Sequence, residues 1–153
     1  MRTILALAIA FAFVAAACTK SPEPAPKAAN VAAAKPASIA WVSTKTTADI
    51  DSAFATAKSD KKPVFLFWTA EWCPPCNHVK STIFTRDEFI AKSRSFVPVY
   101  VDGDTPSGQA LSKRFNVSGY PTMLLLTADG NEVTRLEGSV EPAKYMQLLE
   151  YGL

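Results

Sequence analysis

The residues of this chain best suited to chemistry are Cys73 and Cys76, which enclose two prolines in the sequence WCPPC. At the start of a helix, residues three apart share one face, with Cα atoms about 5 Å apart and within disulfide range. With Cys73 as the N-cap, both prolines fill early helical positions, where a missing N–H breaks no helical bond. The N–H groups of Cys76 and Asn77 then point toward the Cys73 sulfur. We expect them, with the helix dipole, to lower the pKa of that thiol.

The pair is predicted to perform thiol–disulfide exchange, with Cys73 as the nucleophile and Cys76 resolving the mixed disulfide. A structural disulfide is less favoured, because so short a loop stabilises little. A zinc site needs about four ligands, and outside the pair only His78 is a usual soft candidate. Haem attachment requires a histidine directly after the second cysteine, where Asn77 stands. We therefore expect no metal and no cofactor.

Length and composition limit the remaining function classes. The 153 residues are 48% hydrophobic and 20% charged, which favours one globular domain. The net charge of +2 argues against the strongly basic surface of a dedicated nucleic-acid binder. A single histidine excludes a histidine-rich metal site. We expect a monomer that does not bind nucleic acid.

The first 38 residues are predicted to lie outside the fold. Residues 1–17, with one arginine, an apolar run and consecutive alanines at 15–17, have the pattern of a secretory signal peptide. The apolar run is shorter than the roughly 20 residues that span a bilayer. Cys18 follows directly, as in bacterial lipoprotein signals, where such a cysteine is acylated and becomes the first mature residue. Acylation would leave Cys73 and Cys76 as an even pair; the alternative is ordinary cleavage near Ala17.

Residues 18–38 contain four prolines and no aromatic residue, so they are expected to form an extended tether. The tether would connect a lipid anchor at Cys18 to a periplasmic domain over residues 39–153. Thr19 is not the aspartate that marks inner-membrane retention in enteric lipoproteins, and that resemblance slightly favours the outer membrane.

The domain alternates predicted helices and strands. Parallel strands joined by helices indicate an α/β fold, a central mixed sheet of four or five strands flanked by helices. The cysteine motif would follow a central strand, where α/β sheets place their sites. Pairing of the second buried strand is expected to begin after Pro98, which lacks an N–H. The first helix is predicted to begin at 46–47, and further helices are predicted over 73–92 with a break near 85, over 106–115 and over 141–151. Strands are predicted over 64–68, 99–101, 121–127 and 132–136. A turn is predicted at 128–131 and an edge strand at 39–42.

Two of these helices have predicted inward faces. Ile50, Phe54 and Ala57 recur at helical spacing in the first helix, and Tyr145, Leu148 and Leu149 do so in the last.

Two motifs together resemble the thioredoxin superfamily: FWTAEWCPPC over residues 67–76 and FNVSGYPT over residues 115–122. The match covers residues 62–149, and residues 62–89 are most similar to the C-terminal domain of the thiol:disulfide interchange protein DsbD and its lipoprotein-type relatives. The resemblance implies a thioredoxin-like fold and a cis bond between Tyr120 and Pro121 that faces the cysteine pair. It also implies that a substrate chain pairs with the backbone of Tyr120. Residues implied to contact substrate are Trp72, Pro74, Pro75, Tyr120 and Pro121.

Some residues of these motifs depart from the family pattern or have a second interpretation. Phe67 replaces a buried aspartate that moves the proton of the resolving cysteine in many members. Tyr120 is bulkier than the usual Ile, Val or Thr, which would narrow the choice of partner. Trp72 either shields the disulfide and offers an apolar contact surface or is a packed residue. Glu71 and His78 are expected at the surface, and residues 102–104 are expected to form a strand-end turn rather than a cation site.

The resemblance and the leader together predict a lipid-anchored periplasmic thiol:disulfide oxidoreductase. Its favoured direction is reduction of periplasmic protein disulfides, with electrons from a membrane donor of the DsbD type. One alternative is a disulfide oxidase or isomerase for folding proteins. The other is a non-enzymatic binding module with the same fold.

Overall fold

A computed structural model of the protein describes residues 38–139 and 141–151. The predicted signal peptide, Cys18 and the tether as far as residue 37 lie outside these residues. Within them no helix is both long and apolar enough to cross a membrane. The elements in chain order are β1 Val42–Ser43, α1 Thr47–Asp60, β2 Val64–Thr69, α2 Pro74–Thr82, α3 Asp87–Ser93, β3 Val97–Asp102, α4 Pro106–Arg114, β4 Thr122–Leu126, β5 Glu132–Glu137 and α5 Pro142–Glu150.

The strands form one mixed sheet in the order β1-β3-β2-β4-β5. Strands β1, β3 and β2 are parallel, whereas β4 pairs antiparallel with both β2 and β5. The predicted α/β class and mixed sheet are confirmed. Every residue of β2 is buried, as expected for a central strand covered on both faces.

The side chains of β2 divide the core into two clusters, because successive residues of a strand face opposite sides of the sheet. Phe65 and Phe67 pack on the side covered by α2, α3 and α5. Val64, Leu66 and Trp68 pack on the side covered by α1 and α4. Strand β2 is therefore packed on both faces, and this packing fixes the position at which the segment after Thr69 begins.

The inward faces predicted for the first and last helices agree with the structure. Tyr145, Leu148 and Leu149 are buried in α5, as are Ile50, Ala53 and Ala57 in α1. Phe54 is half-buried and stacks on Phe115, with 6.4 Å between the ring centroids. Helix α1 begins where the Asp49 carboxylate accepts the Thr46 N–H at 2.7 Å, and Lys61 ends it in a left-handed conformation.

The structure corrects two predicted boundaries and confirms a third. Strand β1 lies at Val42–Ser43 rather than 39–42, because the Trp41 N–H donates to the Ile39 carbonyl and turns the chain before the strand. Strand β3 includes Pro98, contrary to expectation. The Val97 N–H points to β2, so the missing N–H of Pro98 falls on the β1 side, where pairing begins only at Val99. The break predicted near residue 85 separates α2 from α3.

Candidate active site

The cysteine pair lies in the connection between β2 and α2. Strand β2 ends at Thr69, whose carbonyl accepts the Gly103 N–H at 2.8 Å. The Cys73 N–H donates to the Ala70 carbonyl at 3.3 Å, and Cys73 is the N-cap of α2. The cysteine motif thus follows the carboxyl end of a central strand, as predicted. The turn after β3 closes the same end of the sheet.

Cys73 and Cys76 form a disulfide, with an S–S distance of 2.03 Å and Cα atoms 5.3 Å apart. The Cys76 N–H donates to the Cys73 sulfur at 3.3 Å, as the N-cap position predicts. The Asn77 N–H does not point to that sulfur; it donates to the Cys73 carbonyl at 3.1 Å, because the chain is already helical there. Cys73 is 2% exposed and Cys76 is fully buried.

The Asn77 side chain closes the loop before the helix, a contact that the sequence did not reveal. Its Nδ2 donates to the Glu71 carbonyl at 3.1 Å and so links the helix to the segment that precedes Cys73. The Glu71 and His78 side chains are exposed, in agreement with the surface interpretation of both. Between the two cysteines, Pro74 is exposed and Pro75 is half-buried.

Trp72 stands out from the surface beside the disulfide. It is 68% exposed, so the interpretation of Trp72 as a packed residue is wrong. Its Nε1 donates to the Asp104 carboxylate at 2.8 Å. Residues 102–104 form the predicted turn, in which the Asp104 N–H donates to the Asp102 carboxylate at 3.0 Å. No set of three or more potential metal ligands comes together within the described part of the chain.

The bond between Tyr120 and Pro121 is cis, as the resemblance implied. Pro121 is buried, and the next residue, Thr122, pairs with Trp68 near the end of β2. The half-buried Tyr120 ring lies 6.4 Å from the Trp72 ring, centroid to centroid. Tyr120 also covers Gly103, where an added Cβ would lie 2.1 Å from the phenol ring. These contacts place Tyr120 at the same end of the sheet as the cysteine loop.

Phe67 is fully buried in the same apolar cluster as both cysteines. Its ring meets the Phe84 ring edge to face, 4.8 Å between centroids. No carboxylate is buried anywhere in residues 38–139 or 141–151. The described residues therefore hold no buried acid that could take a proton from Cys76.

Asp104 and Gly103 are the functional candidates that sequence reasoning missed. The sequence indicates only a turn at Asp104, whereas its contact with Trp72 joins residues 32 positions apart. No local pattern signals such a contact. The aspartate–glycine pairing in the turn was visible, but the reason for the glycine is the ring of Tyr120, which comes from a different loop.

Comparison with known proteins places this geometry among characterised relatives. A family model described as a thioredoxin-like domain matches residues 50–153. The thiol:disulfide interchange protein DsbD of Yersinia pestis (strain Pestoides F) is 31% identical over 98 residues, 61% of this chain and 16% of the relative. DsbD of Cronobacter sakazakii is 34% identical over 99 residues, 63% of this chain and 17% of the relative. The chain thus spans less than a fifth of the length of these curated relatives.

Solved structures resemble the fold over most of their own length. The oxidised C-terminal domain of DsbD from Neisseria meningitidis superposes with a TM-score of 0.58 at 26% identity, covering 69% of this chain and 94% of the other. A thioredoxin from Thermus thermophilus superposes with a TM-score of 0.63 at 28% identity, covering 74% and 85%.

Proposed function

The chain belongs to the thioredoxin-like family, and from this premise we propose that it is a thiol:disulfide oxidoreductase acting on protein partners through Cys73 and Cys76. The observation that carries the proposal is the N-cap position of Cys73, whose sulfur accepts the Cys76 N–H. A hydrogen-bond donor on that sulfur favours the thiolate, which is the attacking species. The similarity to DsbD supports a partner that is itself a disulfide or dithiol protein.

The exchange needs only sulfur atoms of the protein and its partner. In the reduced protein the Cys73 thiolate attacks a partner disulfide, a mixed disulfide forms, and the first partner sulfur leaves as a thiolate. Cys76 then loses its proton to solvent or to that leaving thiolate and attacks the Cys73 sulfur. The second partner thiolate departs, and the Cys73–Cys76 disulfide remains. Two electrons pass to the partner, and no cofactor takes part.

Substrate contact is assigned to the surface beside the disulfide. We assign it to residues of the cysteine loop and of the loop before β4, both of which lie at the carboxyl end of β2. The backbone of Tyr120 would pair with an extended partner segment. The assigned residues are Trp72, Pro74, Pro75, Tyr120 and Pro121.

The proposed direction is reduction of partner disulfides, with electrons from a membrane donor of the DsbD type. Two prolines between the cysteines remove two N–H donors, which leaves the Cys73 thiolate less stabilised than in strongly oxidising relatives. A less stabilised thiolate lowers the reduction potential, because the reduced form is then less favoured.

The proposed location is the periplasm, with residues 1–17 as a signal peptide, Cys18 as the lipid anchor, residues 18–38 as a tether and residues 39–153 as the domain. The outer membrane is the favoured site of anchoring, and the protein is proposed to act as a monomer. Cys18→Ser would release the protein from the membrane fraction of cells, whereas Cys73→Ser would leave it there. Retention of the Cys18→Ser protein in membranes would contradict the anchor.

The test of the function is reduction of a protein disulfide by the purified, pre-reduced protein. Cys73→Ser should abolish it, and undiminished activity of this variant would overturn the proposal. Cys76→Ser is the matched control, because it keeps the nucleophile and should accumulate a mixed disulfide with the substrate.

The direction is tested by equilibrating the cysteine pair with glutathione mixtures. A potential near that of thioredoxin, about −270 mV, supports the reductase, and one near about −120 mV makes the protein an oxidase instead. If the pair does not exchange at all, the protein is a binding module.

A further inference from the structure

We propose that Asn77 is a positioning residue for the exchange. Its side-chain amide holds the segment before Cys73 against the start of α2, through a contact that does not involve the sulfur atoms. The Cys73 sulfur is thereby kept within reach of Cys76 when the pair is reduced. This inference rests on the proposed function, because it concerns how readily the disulfide between the two cysteines forms and breaks.

The contact made by the Asn77 side chain spans the disulfide. Its Nδ2 donates to the Glu71 carbonyl at 3.1 Å, so it joins a residue that follows Cys76 to one that precedes Cys73. The disulfide closes a ring over residues 73–76, and the amide closes a larger ring over residues 71–77 around it. Reduction opens the inner ring at the sulfur atoms, whereas the outer ring is closed by nitrogen and oxygen and does not depend on the disulfide.

The two prolines between the cysteines leave few backbone donors for the same task, because Pro74 and Pro75 carry no N–H. The Cys76 N–H is directed to the Cys73 sulfur at 3.3 Å. The Asn77 N–H is directed to the Cys73 carbonyl at 3.1 Å. Neither of these N–H groups bonds to the segment before Cys73. Among residues 74–77, the Asn77 side chain therefore supplies the bond to that segment.

The segment before Cys73 is otherwise held loosely. The Cys73 N–H donates to the Ala70 carbonyl at 3.3 Å, longer than the distance of about 2.9–3.0 Å that is typical of such bonds. The Trp72 indole is bound by Asp104, but that bond fixes the indole rather than the backbone. We therefore expect residues 71 and 72 to move more freely in the reduced protein when the amide of Asn77 is removed.

This restraint bears on the second step of the exchange. In that step the electron pair of the Cys76 thiolate forms the bond to the Cys73 sulfur, the bond between Cys73 and the partner breaks, and the partner sulfur leaves as a thiolate. Ring closure is faster and more favourable when the two sulfurs are already held near each other. Because Asn77 is exposed, its hydrogen bond is expected to change the rate and the equilibrium of ring closure by about threefold.

The test compares the full-length wild-type protein with Asn77→Ala. The reduced variant is mixed with the oxidised wild-type protein, free thiols are alkylated after acid quenching, and the equilibrium amounts of oxidised and reduced forms are read by mass spectrometry. The disulfide should be about threefold less favoured in Asn77→Ala, which corresponds to a reduction potential about 14 mV higher. In single-turnover reduction of a protein disulfide, the mixed disulfide should persist about threefold longer.

Matched variants separate positioning from folding. His78→Ala removes the next exposed side chain of the same helix and should leave both the potential and the lifetime of the mixed disulfide unchanged. Asn77→Gln keeps an amide donor and should lie closer to the wild type than Asn77→Ala does. Alanine is a better helix former than asparagine, so Asn77→Ala should not destabilise α2.

Three results would overturn the positioning role. The first is equal stability of the disulfide in Asn77→Ala and in the wild-type protein, and the second is an equal shift in His78→Ala and in Asn77→Ala. In both cases reduction of a protein disulfide by the wild-type protein leaves the proposed function standing. The third is failure of the wild-type protein to reduce any protein disulfide, which overturns the function and the positioning role together.

Discussion

Gly108→Ala should destabilise the protein, although alanine is the better helix former. Gly108 lies in the first turn of α4, where replacing glycine by alanine ordinarily stabilises a helix by about 1 kcal/mol. Here a Cβ would lie 1.9 Å from the Asp102 carbonyl oxygen and 3.0 Å from the Gly103 Cα, both backbone atoms. Neither atom can rotate away, so the helix and the end of β3 must separate.

The size of the effect follows from that distance. Ordinary contact begins near 3.4 Å, so the first gap must widen by 1.5 Å. Overpacking a core costs about 1–3 kcal/mol, and a contact with backbone belongs at the upper end of that range. Subtracting the helix gain of about 1 kcal/mol leaves a net loss of about 2 kcal/mol. For a domain of this size the melting temperature should fall by about 8 °C.

The assay is thermal unfolding followed by circular dichroism, with urea unfolding for the free energy. Gly119→Ala is the matched control, because a Cβ at that exposed position has nothing within 4 Å, and its melting temperature should change little. An unchanged or raised melting temperature for Gly108→Ala would refute the reasoning, since helix propensity would then outweigh the close approach of α4 to β3.

Three further predictions concern single side chains. Hydrogen bonds from Arg135 lower the pKa of Glu132 in the folded protein. The stabilisation that they give is present above the pKa of the unfolded state and disappears as the pH falls through the pKa of the folded state. Glu132→Gln should therefore reduce the loss of stability between neutral and acid pH by a few tenths of a kcal/mol, measured as the free energy of unfolding against pH. Ser112→Ala should leave the free energy of unfolding unchanged or raise it, because the Ser112 hydroxyl is buried without a hydrogen bond. Ser107→Ala loses the 2.9 Å hydrogen bond from the Ser107 hydroxyl to the Thr44 carbonyl, so it should lower the free energy of urea unfolding by about 1 kcal/mol. Phe67→Asp should destabilise the protein by more than about 3 kcal/mol at pH 7, because the new carboxyl is buried. The loss should be smaller at pH 4, where burial keeps that carboxyl protonated. An equal loss at pH 7 and pH 4 would contradict a pocket around residue 67 that excludes water.

Much of the fold could be predicted because its signals are local. The apolar run of β2, the spacing of Tyr145, Leu148 and Leu149 in α5, and the turn before β5 each follow from a few consecutive residues. The position of β1 and the inclusion of Pro98 in β3 could not be predicted so. The first depends on the hydrogen bond from the Trp41 N–H to the Ile39 carbonyl, and the second on which neighbouring strand faces the position of the missing Pro98 N–H.

Some features of the candidate site could likewise be predicted from local sequence, whereas others could not. The disulfide spacing, the N-cap sulfur and the cis Pro121 follow from two short motifs. The contacts of Asp104 and Gly103 with the two aromatic side chains join segments far apart in sequence. Glycine and aspartate in a turn have an ordinary local explanation, so the composition of that turn alone did not indicate a second role.

The hydrogen bonds that shape the cysteine loop bear on what reduction does to the molecule. Cys73 donates to Ala70, Asn77 donates to Cys73, and the Asn77 side chain donates to Glu71, all through atoms other than sulfur. Breaking the S–S bond removes none of them. The backbone of the loop therefore keeps its shape when the S–S bond breaks, so the exchange proposed for the cysteine pair needs no refolding of this segment.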